Sequence, residues 1–167
     1  LSRALANPLI GIVSLRAKLM SSDALADLAA RFLARARAVR PELVILIHGE
    51  IELAKQLGFD GVHLSAKQLG KLTHRPLEES AWLFASCHSE TELRAAEALG
   101  ADAVTLSPIK ITQSHPGQAA LGSKVLARGA RSSFLPIYAL GGMLPRDLSM
   151  VRAAGAHGIA AIRGLWP

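Results

Sequence analysis

Several short groups in this chain carry the residue types that acid–base or anion chemistry requires. Ser86 and His88 stand two apart near the end of an apolar run, so an extended chain projects both to one side and Cys87 to the other. Histidine titrates near neutrality and serves as a general acid or base. Ser107, Thr112, Ser114 and His115 follow in a stretch dense in hydroxyls. Arg16 and Lys18 are also two apart and point the same way, a pair suited to an anion. His48 closes another apolar run and is a candidate ligand contact, whereas His63 lies inside a very short run and reads as structural. Six histidines and one cysteine offer no pair at the usual ligand spacing, so a metal site on them is not expected. No Ser-His-Asp arrangement follows from the spacing, and Cys87 reads as packing.

The elements that must position these groups alternate. Apolar runs at Ile10–Leu15, Leu43–Ile47, Gly61–Leu64, Trp82–Cys87, Ala103–Leu106, Pro136–Leu140 and Gly158–Ile162 read as strands. Between them, amphipathic stretches read as helices: one capped by Ser21, Ser22 or Asp23 and running to about Val39, then Ile51–Leu57, Glu90–Leu99, Ser123–Arg128 and Pro145–Ala154, with a helical turn at Ala66–Leu72. Gly58 and Gly100 close two of them. The fragments FDGVHL, ADAVTL and AHGIAAI share one grammar, which marks a repeating β/α unit. Strands that are continuously apolar and alternate with helices predict a parallel sheet buried on both faces. Seven such units predict either a TIM (β/α)8-type barrel lacking its first β/α unit or an open doubly wound sheet. Polar residues gathered just after the strands then lie at the ligand face. The whole chain reads as one domain, residues 1–167, and its start at Leu1 is expected of a domain of a longer protein.

Composition excludes other classes. Half the residues are hydrophobic and 19% are charged, so the chain is not a disordered one. No apolar run approaches the roughly 18 residues of a membrane span, and a single cysteine precludes an internal disulfide framework, so a cytoplasmic location is expected. Net charge is +6, yet the basic residues are dispersed. Arg31, Arg35, Arg37 and Arg40 fall along one helix as a solvated face, and aromatic residues make up 4%, so a phosphorylated small molecule fits better than nucleic acid.

Four stretches carry a family resemblance: Glu52–Leu64 (ELAKQLGFDGVHL), Ser86–Leu93 (SCHSETEL), Ala98–Gly117 (ALGADAVTLSPIKITQSHPG), and PIYALGGM with AGAHGIAAI. In order and spacing they resemble the thiamine phosphate synthase/TenI barrels, which begin with one more strand and helix. The resemblance implies that Arg16 and Lys18 match a basic pair holding pyrophosphate. It also implies that two magnesium-binding acids are replaced, by Gly49 after His48 and by Gln68. Magnesium depends on carboxylates for attachment to protein, so no cofactor is expected and synthase chemistry is disfavoured. Thr112, Ser114 and His115 match a hydroxyl-rich loop whose lysine has become histidine. Gly141 and Gly142 resemble a phosphate cradle, with Arg163 in the last loop.

Ser86 and His88 match a Ser-x-His-Ser pattern, and in the TenI branch the equivalent histidine is associated with thiazole tautomerisation. The first expectation is therefore a thiazole-phosphate-binding domain with His88 as general acid/base. A second is the non-catalytic carboxyl-terminal module of a MutT/Nudix hydrolase, with that domain fused upstream. A third, thiamine phosphate synthase, lacks its acids. A barrel without its first strand exposes a sheet edge, so a homo-oligomer is a further expectation.

Overall fold

The computed structural model describes residues 5–17, 19–112, 117, 119–162 and 164. Lys18, Ser114, His115 and Arg163 lie outside the described residues.

Seven strands form one sheet in strict chain order, every neighbouring pair parallel: β1 (Ile12–Leu15), β2 (Val44–His48), β3 (Gly61–Leu64), β4 (Trp82–Cys87), β5 (Ala103–Leu106), β6 (Ile137–Ala139) and β7 (Gly158–Ile159). The helices are α1 (Ser22–Val39), α2 (Ile51–Leu57), α3 (Ala66–Leu69), α4 (Glu90–Ala98), α5 (Gly122–Ser132) and α6 (Leu148–Ala153), with a 3-10 turn at Pro145–Asp147 before the last. Because strand order never reverses, the sheet has no switch point and is not doubly wound. It curls as a half-barrel of TIM type.

Strand parity builds two apolar layers. Ile45, Ile47, Val62, Leu64, Leu83, Cys87, Val104 and Leu106 face the helices, where Ala29, Ala36, Ala54 and Ala96 let helix backbones approach. The opposite parity turns inward. Leu46, Phe84 and Ala103 form the inner cluster, with Ile12, Val44 and Tyr138 against it. Cys87 is fully buried in the outer layer, and burial pushes its thiol up to about 12.

The shared grammar of the repeats has a physical cause at the amino-terminal ends of the strands. Asp60 accepts the Ile45 amide at 2.6 Å and binds Arg37 of α1. One repeat on, Asp102 accepts the Leu83 amide at 2.7 Å and binds Arg75 at 2.9 Å. Each aspartate ties the strand it precedes to the strand before it. Arg37 and Arg40 are thus not a solvated face. Arg37 also donates to the Leu43 carbonyl at 2.7 Å, and Arg40 to those of Asn7 and Ile10 at 2.8 Å. In the third repeat His157 takes the aspartate's place and its ring meets Tyr138 at 5.7 Å.

Element ends differ from expectation where hydrogen bonding stops. The last strand holds only Gly158–Ile159, because its partner β6 ends at Ala139; the Ala160 amide makes one more bond to the Ala139 carbonyl. The stretch Ala66–Leu72 is helical only to Leu69, closed at its start by a reciprocal Ser65–Gln68 capping box. The helix predicted over Pro145–Ala154 opens as a 3-10 turn, while α5 runs longer than its predicted span.

Candidate active site at the carboxyl ends of the strands

All strands being parallel, their carboxyl ends share one side of the sheet, where Arg16, His48, Ser86, His88, Thr112, Gly141 and Gly142 all fall. Two clefts of about 240 and 190 Å3 lie at the other end, against Pro136 and His157 and against Trp82 and Asp102. Neither contains a candidate site residue.

The inward parity of β2 to β5 carries a polar cluster on top of the apolar one. His48 pairs in register with His63, and their rings are 5.1 Å apart. His63 Nε2 lies 3.2 Å from Thr105 Oγ1 and 3.1 Å from Ser86 Oγ. Burial, with smaller contributions from His48 and the Arg16 charge, pushes His63 down to about 3, so its ring is neutral at physiological pH. His63 is therefore the hub of the inner cluster. Its signal in the sequence was alternation: GVHL and AVTL both run small, aliphatic, polar, aliphatic, which puts His63 and Thr105 inward.

Ser86 and His88, two apart in sequence, join different groups. Ser86 turns down to His63. His88 sits one residue beyond β4, with Nδ1 2.8 Å from the Ser107 carbonyl and 3.3 Å from Ser107 Oγ. A carbonyl only accepts, so the Nδ1 hydrogen is committed to it and Nε2 carries the lone pair of the neutral ring. The His88 amide donates to Glu92, and the Glu92 amide to Ser89 Oγ at 3.2 Å, which fixes the strand-to-helix turn beneath the imidazole.

Gly141 and Gly142 follow β6 with φ of +93° and +64°. Their α-carbons face the loop after β5. A Cβ on Gly141 would come within 2.7 Å of Pro108 Cα, and one on Gly142 within 2.7 Å of the Ile111 carbonyl and 2.9 Å of Lys110 Cβ. The Ile109 and Lys110 amides bond the Leu140 and Gly141 carbonyls at 2.8 and 3.0 Å. The two loops are one packed unit, and glycine is required at both positions by this approach as well as by backbone sign. Lys110 Nζ binds Asp147 Oδ1 at 2.7 Å, and Asp147 Oδ2 accepts the Leu144 amide at 3.0 Å. Sequence reading missed this ion pair, whose members are 37 residues apart.

The two positions implied for magnesium do not suit it. Gln68 Oε1 accepts from Ser65 N and Oγ at 3.1 and 2.8 Å, and its Nε2 donates to the Gly49 carbonyl at 2.7 Å. The amide is committed to local bonds, and neither position supplies a carboxylate.

A family model described as thiamine monophosphate synthase matches residues 1–165. The chain belongs to this family. A putative thiamine-phosphate synthase 2 of Aquifex aeolicus is 32% identical over 92% of this chain and 81% of its own length. The thiamine-phosphate synthase of Gloeobacter violaceus is 31% identical over 92% of this chain, which spans only 45% of that protein. A thiamine phosphate pyrophosphorylase from Pyrococcus furiosus superposes with a TM-score of 0.75 at 19% identity, over 96% of this chain and 76% of that one. Membership places the domain among thiamine-biosynthetic barrels. No helix among the described residues is long and apolar enough to cross a membrane.

Proposed function

We propose that this domain binds a thiazole phosphate of thiamine metabolism and that His88 shifts a proton on the bound ring without a metal. The carrying observation is the 2.8 Å contact of His88 Nδ1 with the Ser107 carbonyl, which can only accept and so leaves Nε2 as the nitrogen to take a proton. In a tautomerisation that nitrogen takes a proton from one carbon of the substrate and returns it to another, so nothing is consumed. Gly141 and Gly142 hold the phosphate through main-chain N–H groups, with Thr112 as a hydroxyl ligand, and the family resemblance assigns Ser114, His115 and Arg163 to the same phosphate. Arg16, Lys18 and His48 receive the substrate's carboxylate beside Ser86. The same reading adds one β/α unit ahead of β1 to complete the barrel, and a cytoplasmic setting.

The commitment of Gln68 to Gly49, in place of two acids, also supports a second reading, in which the domain binds its ligand without turnover. That is the reading of a module fused to a MutT/Nudix hydrolase. The two readings separate by NMR of thiazole phosphate carboxylate incubated with the protein in EDTA. Tautomer interconversion that falls at least 100-fold in His88→Ala, with ligand affinity kept, is the expected result. Binding without interconversion in the wild type selects the module. Interconversion that survives in His88→Ala removes His88 from the mechanism.

A further inference from the structure

The loop matched to a lysine-bearing phosphate loop has histidine at its end, which leaves the proposed phosphate without a permanent positive charge from that position. Lys110, five residues earlier, packs against the glycine pair. Its Cβ is in the space beside Gly142, where an added methyl would meet it at 2.9 Å. Its main-chain amide bonds Gly141 at 3.0 Å, so its backbone is fixed to the glycine pair. Its side chain is 43% exposed, and Nζ rests on Asp147, the residue that ends the 3-10 turn following those glycines. Asp147 is secured independently of Lys110 by the Leu144 amide. The cation can therefore leave without dismantling the turn, and a Lys stem has the rotatable bonds to do so.

We propose that Lys110 is a cationic phosphate ligand of this domain, parked on Asp147 when the site is empty and transferred to the phosphate when it is filled. The inference rests on the phosphate site proposed above at Gly141 and Gly142. Asp147 then acts as a competitor for the lysine. Exchange of one anionic partner for another keeps the ammonium paired in both states.

The two partners should respond in opposite directions. The probes are thiazole phosphate carboxylate and its dephosphorylated alcohol, titrated calorimetrically against the full chain. Lys110→Met should weaken the phosphorylated probe 10- to 100-fold and leave the alcohol within twofold, and Lys110→Arg should restore most of the loss. Asp147→Asn, which keeps an acceptor for the Leu144 amide, should bind the phosphorylated probe as well as or more tightly than the wild type. If Lys110→Met and Asp147→Asn both weaken the two probes alike, the pair is only a loop clamp and the proposal falls. If the wild type does not prefer the phosphorylated probe, the phosphate site itself is wrong and Lys110 has no role there. Circular dichroism of each variant checks that the fold is retained.

Discussion

His63 shows how little a residue type says before its environment is known. A histidine in water is half charged near 6.5, but this one is enclosed by Phe84, Thr105, Ser86 and His48 and is pushed down to about 3. Between those two values the unfolded chain holds a proton that the native ring does not. Unfolding therefore takes up a proton, and native stability rises with pH across that window. The contribution is fully present above about 6.5 and is lost as pH falls toward 3, with about 5 kcal/mol as the upper limit for one such group. His63→Gln should be destabilising at pH 7, and that cost should shrink or reverse at pH 4.5 in urea melts. An equal cost at both values would mean that His63 is not held neutral by the fold. The sequence already placed His63 in a strand, but its neutrality arises from groups on β2, β4 and β5 and is not a local property.

At the scale of elements, the repeated aspartates explain how short strands hold their register. Asp102 satisfies the amide of the fully buried Leu83 and an arginine that also bonds the Gly100 and Ala81 carbonyls. Asp102→Ala leaves that amide unpaired and should cost about 1–3 kcal/mol in chemical denaturation. Asp102→Asn retains an acceptor and should cost less. Equal losses would assign the effect to the ion pair with Arg75 and not to the strand amide. The repeat FDG and ADA was legible in the sequence as grammar. Its reason was not, because each aspartate bonds backbone 15 or 19 residues earlier in the chain.

At the scale of the whole molecule, seven parallel strands in chain order place the candidate groups among the described residues on one rim, and the two positions that the resemblance implied for magnesium hold no carboxylate. Asp at Gly49 must accept a φ of +82° and would meet only the end of the Gln68 side chain, at 3.0 Å. The double variant Gly49→Asp/Gln68→Asp removes that contact and places two carboxylates where the amide now bonds the Gly49 carbonyl. Its melting temperature should rise with added magnesium or manganese, while the wild type should not respond. A metal-dependent rise in the wild type would overturn the metal-free reading.

The sequence alone determined the alternation of strands and helices, the position of nearly every element and the family, since these depend on local periodicity and on motifs of contiguous residues. It determined that two expected acids are absent, because residue identity is local information. Only the tertiary structure chose the singly wound half-barrel over the doubly wound sheet, a matter of which strands pair. It separated Ser86 from His88, which adjacent spacing had joined, because one side chain finds His63 on β3 and the other finds the loop after β5. It also fixed the tautomer of His88, the neutrality of His63 and the Lys110–Asp147 pair. Each of these depends on a hydrogen bond, charge or burial supplied by another unit of the barrel, and no spacing along the chain encodes that.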